Sequence, residues 1–80
     1  MDADLMRGRA AHDETPAEMV YRLRCSLGLS QRGFAERFGL SFGGVKDLEQ
    51  GRRQPSSSLR VLLRTIEVAP DAVERAAHSS

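Results

Sequence analysis

The sequence is short of the residues that demanding chemistry needs. A single cysteine, Cys25, stands among 80 residues, so no intrachain disulfide can form and a reducing interior is the natural setting. Tryptophan is missing, and three Phe and one Tyr are the only aromatics, which leaves a core built mainly of leucine and valine. No uninterrupted apolar run exceeds three residues, far below the roughly 20 that span a bilayer. The opening MDADLMRGR has no apolar segment, so no secretion signal is expected and the expected location is cytoplasmic. The histidines His12 and His78 lie near the two ends, with no metal-ligand spacing and no glycine-rich phosphate cradle anywhere. No metal, cofactor or enzyme activity is expected.

A large surplus of charge is absent too, since the net charge is +1. Its distribution is uneven: residues 1–15 carry −2, residues 16–67 carry +4 and residues 68–80 carry −1. A face for nucleic acid would therefore lie in the middle of the chain. At this length there is one domain at most, and folding buries only about 60–65% of the unfolded surface, so stability is expected to draw on oligomerisation.

What is present is helix punctuation. Residues 1–14 show no periodicity and are expected to form a flexible N-terminal tail, with the domain over 15–77 and a short C-terminal tail at 78–80. Thr15-Pro16-Ala17-Glu18 is a capping box with proline at the first helical position, and Val20, Leu23 and Leu27 follow at helical spacing up to Gly28. Ser30 caps a second helix with Phe34, Ala35 and Phe38 on one face, and Gly39 supplies the left-handed turn that ends it. Ser41 caps a third helix with Val45 and Leu48 on one side, closed by Gly51. Pro55 breaks the chain. The serines at 56–58 then cap a fourth helix with Leu59, Leu62, Leu63 and Ile66, and a short fifth follows near 71–77. No stretch alternates with period two. The expectation is an all-α, compact bundle of about five short helices containing a helix-turn-helix.

The second helix, the corner at Gly39 and the third helix meet the needs of such a motif. Ala35 is small where the helices cross, Gly39 turns the chain, and Val45 and Leu48 face the core. Ser41, Phe42, Gly43, Lys46, Asp47 and Gln50 then face outward on a helix that fits the DNA major groove. The run GLSQRGFAERFGLSFGGVKDLEQGRRQPS resembles the Cro/CI-type (XRE-like), lambda-repressor-like helix-turn-helix family of bacterial and phage repressors and antitoxins, over about residues 17–67. The resemblance implies that Gln31 contacts a phosphate and braces the third helix. Ser41, Phe42, Gly43, Lys46 and Asp47 would sit at base-reading positions, Glu49 and Gly51 would close the helix, and Arg52 and Arg53 would touch the DNA backbone. Many relatives carry a polar side chain where this chain has Gly43 and Gly44.

Bland alternatives stand beside several of these residues. Gly43-Gly44 is either a weak first turn or a place where backbone approaches a partner closely. Phe42 is either a staple folded onto the second helix or an exposed apolar contact. Cys25 is expected to be a small, half-buried residue, and Arg60 and Arg64 solvated surface. Two functions remain. The leading one is a repressor or autoregulator that reads double-stranded operator DNA as a homodimer on an inverted repeat, dimerising through Val68, Val73 and Ala76. The other is an antitoxin or antiactivator that uses the same scaffold to bind a toxin or activator protein.

Overall fold

The computed structural model describes residues 14–79, and within them four of five helices start at a hydroxyl side chain. In α1 (Pro16–Ser26), the Thr15 hydroxyl accepts from the Glu18 N–H at 3.1 Å while the Glu18 carboxylate accepts from the Thr15 N–H at 2.9 Å. Ser30 caps α2 (Gln31–Phe38), Ser41 caps α3 (Phe42–Glu49) and Ser56 caps α4 (Ser57–Val68), each accepting from the backbone N–H three residues on. Such a cap satisfies one of the orphan donors at a helix start, for about 1 kcal/mol. Only α5 (Pro70–His78) lacks one; its Pro70 sits at the first turn, where a missing N–H costs nothing. No strand occurs among the described residues. The all-α, five-helix architecture is as the punctuation dictates.

The core comprises Val20 and Leu23 of α1, Phe34, Ala35 and Phe38 of α2, Val45 and Leu48 of α3, Leu63 and Ile66 of α4, and Val73 of α5. Phe34 and Phe38 meet edge to face with centroids 5.0 Å apart. Helix α1 packs on α3 and α4, α2 packs on α3 and α5, and α4 packs on α5. Thus α2 and α3 are backed on the inside by the remaining helices.

The corner between α2 and α3 depends on Gly39 twice. Its φ is +71°, a conformation that costs an L-residue with a side chain roughly 1 kcal/mol or more. A Cβ there would also stand 3.2 Å from the Ala77 Cβ of α5. Helix α5 is held to the same end of α2 by polar contacts. Arg37 pairs with Glu74 at 2.8 Å and Asp71 at 3.3 Å, and the His78 Nε2–H donates to the Arg37 carbonyl at 3.1 Å.

Three expectations change. Val73 is not part of an outer surface; it is 7% exposed, because it is the one large aliphatic side chain on α5 and the core takes it. Cys25 is exposed rather than half-buried, lying off the face that Val20 and Leu23 turn inward. His78 belongs to α5, not to a tail. The expected N-terminal tail falls outside the described residues except for Glu14, whose carboxylate takes the Arg22 fork at 2.7 and 3.0 Å. That guanidinium holds the Glu14 carboxyl below the ordinary carboxylate range, so the attraction operates at neutral pH and is lost as acid protonates the group.

Candidate nucleic-acid interface

Helix α3 is locked at both ends before any side chain is considered for function. At its start the Ser41 hydroxyl accepts from the Gly44 N–H at 3.0 Å. At its end Gly51, with φ +74°, turns the chain so that its own N–H reaches Leu48 O and the Arg52 N–H reaches Asp47 O. This paired pattern satisfies the last carbonyls and sends Arg52 and Arg53 off the end of the helix.

A half-buried ion pair holds α3 in place. The Glu49 carboxylate, 7% exposed, accepts from Arg24 Nε at 2.7 Å and Nη2 at 3.1 Å. The remaining Arg24 nitrogen donates to the Leu29 carbonyl at 3.1 Å, and Gln31 Nε2 donates to Glu49 at 3.2 Å. One carboxylate therefore ties together α1, the start of α2 and the end of α3. It also holds the Arg24 guanidinium still more firmly protonated than usual. The bracing expected of Gln31 is present, and it is directed at Glu49.

The outward face of α3 carries the residues the spacing places there. Ser41, Gly43, Lys46 and Gln50 are exposed, Phe42 and Asp47 are half-buried, and Val45 and Leu48 are buried. Phe42 packs against the core from the side, as a staple does. Arg52 and Arg53 are exposed beyond the helix end. Arg32, which the sequence alone does not single out, joins them: its Cζ lies 4.3 Å from the Phe42 ring centroid, and Lys46 Nζ lies 5.4 Å from the same centroid.

The cations fall into two groups. Arg22, Arg24 and Arg37 are spent on carboxylates that join helices. Among the described residues, Arg32, Lys46, Arg52 and Arg53 around α3, and Arg60, Arg64 and Arg75 on α4 and α5, meet no carboxylate within salt-bridge distance. Unspent positive charge is therefore displayed beside and beyond the exposed side of α3, where a polyanion could neutralise it.

The two glycines of α3 differ physically. A Cβ on Gly43 would meet nothing within 4 Å. On Gly44 it would stand 2.7 Å from the Ser41 hydroxyl and 3.4 Å from Arg53 Nη1. Gly43→Ala is expected to raise the melting temperature, since alanine is favoured in a helix by up to about 1 kcal/mol. Gly44→Ala is expected to give no such gain, because the capping hydroxyl must swing away and forfeit about 1 kcal/mol. Thermal melts of the two variants side by side check this; equal shifts would remove the distinction.

A short helix pair turned at a left-handed glycine, with an inward-braced and outward-cationic second helix, defines a helix-turn-helix DNA-binding domain. The family model described as helix-turn-helix matches residues 20–63, more than half of the chain. The chain belongs to the Cro/CI-type (XRE-like) helix-turn-helix family, whose members are DNA-binding transcriptional regulators. Neither the curated proteins nor the solved structures contain a match to it. No helix among the described residues is long and apolar enough to cross a membrane.

Proposed function

We propose that the protein is a transcriptional repressor or autoregulator that reads an inverted repeat as a two-fold dimer, laying α3 in the major groove of each half-site. The observation that carries this is the cluster of four cations unpaired among the described residues, Arg32, Lys46, Arg52 and Arg53, around the exposed side of α3. On this reading Lys46, Arg52 and Arg53 contact phosphates, and Ser41, Phe42, Gly43, Asp47 and Gln50 line the base edges. Gln31 positions α3 through Glu49. A single module this small makes few contacts, so a dimer with half-sites about 34 Å apart supplies the missing affinity. Val68, 81% exposed, and Val61, 63% exposed, lie seven residues apart on one face of α4, and they offer an apolar patch for the second copy in place of Val73.

The competing reading, an antitoxin or antiactivator that binds a protein, is favoured by one feature. Phe42, Gly43 and Gly44 give the tip of α3 no polar side chain of its own. Footprinting on DNA from the protein's own promoter region, at several salt concentrations, separates the two. A protected palindrome supports the repressor. Weak, sequence-blind binding together with a stable complex with the product of an adjacent gene supports the alternative.

A further inference from the structure

The tip of α3 raises a problem that the rest of the domain answers. In a groove-reading helix the first turn meets the base edges, and discrimination among bases comes from donors and acceptors placed there. Here that turn offers a benzyl group and two glycines, and the Ser41 hydroxyl, held in place by accepting from the Gly44 N–H, keeps only a short O–H donor. No residue of the turn carries a strong, flexible donor. A donor beside its aromatic ring belongs to another helix: Arg32 of α2, with Cζ 4.3 Å over the Phe42 ring.

Several observations make Arg32 more than a solvated arginine. Its guanidinium has no carboxylate or hydrogen-bond partner among the described residues. The ring beneath it is itself fixed, because Phe42 is half-buried against the core. A guanidinium held over an aromatic face loses rotamer freedom while its in-plane N–H donors stay available. A Cβ on Gly43 would meet nothing within 4 Å, so that position adds no bulk to the tip of α3 against an approaching base edge. Lys46 lies 5.4 Å from the same ring, and its positive charge draws an electronegative base edge toward the spot.

We infer that Arg32, oriented by Phe42, is the specificity-determining residue of this interface and reads a guanine in each half-site through the O6 and N7 acceptors. The inference rests on the DNA-binding reading given above and names the base that reading leaves open. Phe42 is a positioning residue, and Gly43 is the clearance that lets the base approach. The planar fork of arginine matches the two major-groove acceptors of guanine; the compact ammonium of lysine does not. Recognition is thus moved from the start of α3 to the start of α2, with an aromatic ring as its support.

The test uses the full chain and a random duplex library. Binding-site selection should return a site with one fixed guanine per half-site. Replacing that guanine by 7-deazaguanine, which lacks the N7 acceptor, should weaken wild-type binding about 10-fold or more. Arg32→Lys keeps the charge and loses the fork; it should bind the selected site about 10- to 100-fold more weakly and be indifferent to 7-deazaguanine. Phe42→Leu, which keeps an apolar filler but removes the ring, should lose the same discrimination, with circular dichroism showing it folded. Arg32→Lys binding every duplex as the wild type does would overturn the inference, since Arg32 would then act as a point charge on a phosphate. A selected site without a fixed guanine would overturn it too. A wild-type protein that binds no duplex even at low salt defeats the DNA-binding reading as well, so the two failures are told apart.

Discussion

Arg24→Met is expected to lower the stability of the domain by roughly 2–4 kcal/mol, and to lower the melting temperature by about 10 °C or more. The reason is what the substitution leaves behind. Glu49, with 7% of its side chain exposed, would keep only the Gln31 amide at 3.2 Å, and the Leu29 carbonyl would lose the donor at 3.1 Å. An uncompensated carboxylate in a poorly hydrated place costs far more than an exposed pair contributes. Arg24 itself is 17% exposed, so water reaches part of the pair and the effect falls short of that for a fully enclosed one. A domain of this length has a stability of only about 4–12 kcal/mol, and the loss is a large share of it. The double variant Arg24→Met, Glu49→Leu should recover most of the deficit, because an apolar pair of similar volume carries no desolvation debt. Urea denaturation of wild type, both singles and the double gives the coupling directly. A single Arg24→Met that costs less than about 0.5 kcal/mol, the range of an exposed pair, would show that the contact does not hold α3.

The contrast between that pair and the helix caps explains what could be seen in the sequence. Caps are local. Thr15 and Glu18, or Ser41 and Gly44, interact across three residues, so their meaning is visible wherever they stand. The same holds for Gly39 and Gly51, whose positive φ is the ordinary way to end a helix. The fold and the corner were therefore legible. Arg24 and Glu49 are 25 residues apart, and nothing in the neighbourhood of either announces the other; only the family resemblance marked Glu49 as structural. Val73 was misplaced because α5 holds a single large aliphatic side chain, and one residue defines no stripe to tell inside from outside. Arg32 was passed over for a related reason. Its neighbour Phe42 lies on a different helix, and that contact exists only once Gly39 has folded α2 against α3.

Removing Lys46, Arg52 and Arg53 together is expected to reduce affinity for the operator about 100-fold at 0.15 M salt while leaving the fold intact. Each phosphate contact releases counterions, so log affinity falls against log salt with a slope near 0.9 per contact, and the triple variant should be shallower by about 2.7. The three side chains are exposed and meet no carboxylate within salt-bridge distance among the described residues, so their loss strands no buried charge and the melting temperature should barely move. The charge-matched control is the triple Arg60→Ala, Arg64→Ala, Arg75→Ala, exposed residues on α4 and α5 that likewise meet no carboxylate within salt-bridge distance among the described residues. It should leave both affinity and slope nearly unchanged. The pattern matters more than the size of any one loss. If the two triple variants weakened binding alike, the attraction would be a diffuse effect of net charge. That outcome sits poorly with a chain whose net charge is only +1: with so little overall field, DNA affinity has to come from where the cations stand, and four that are unpaired among the described residues stand together at helix α3.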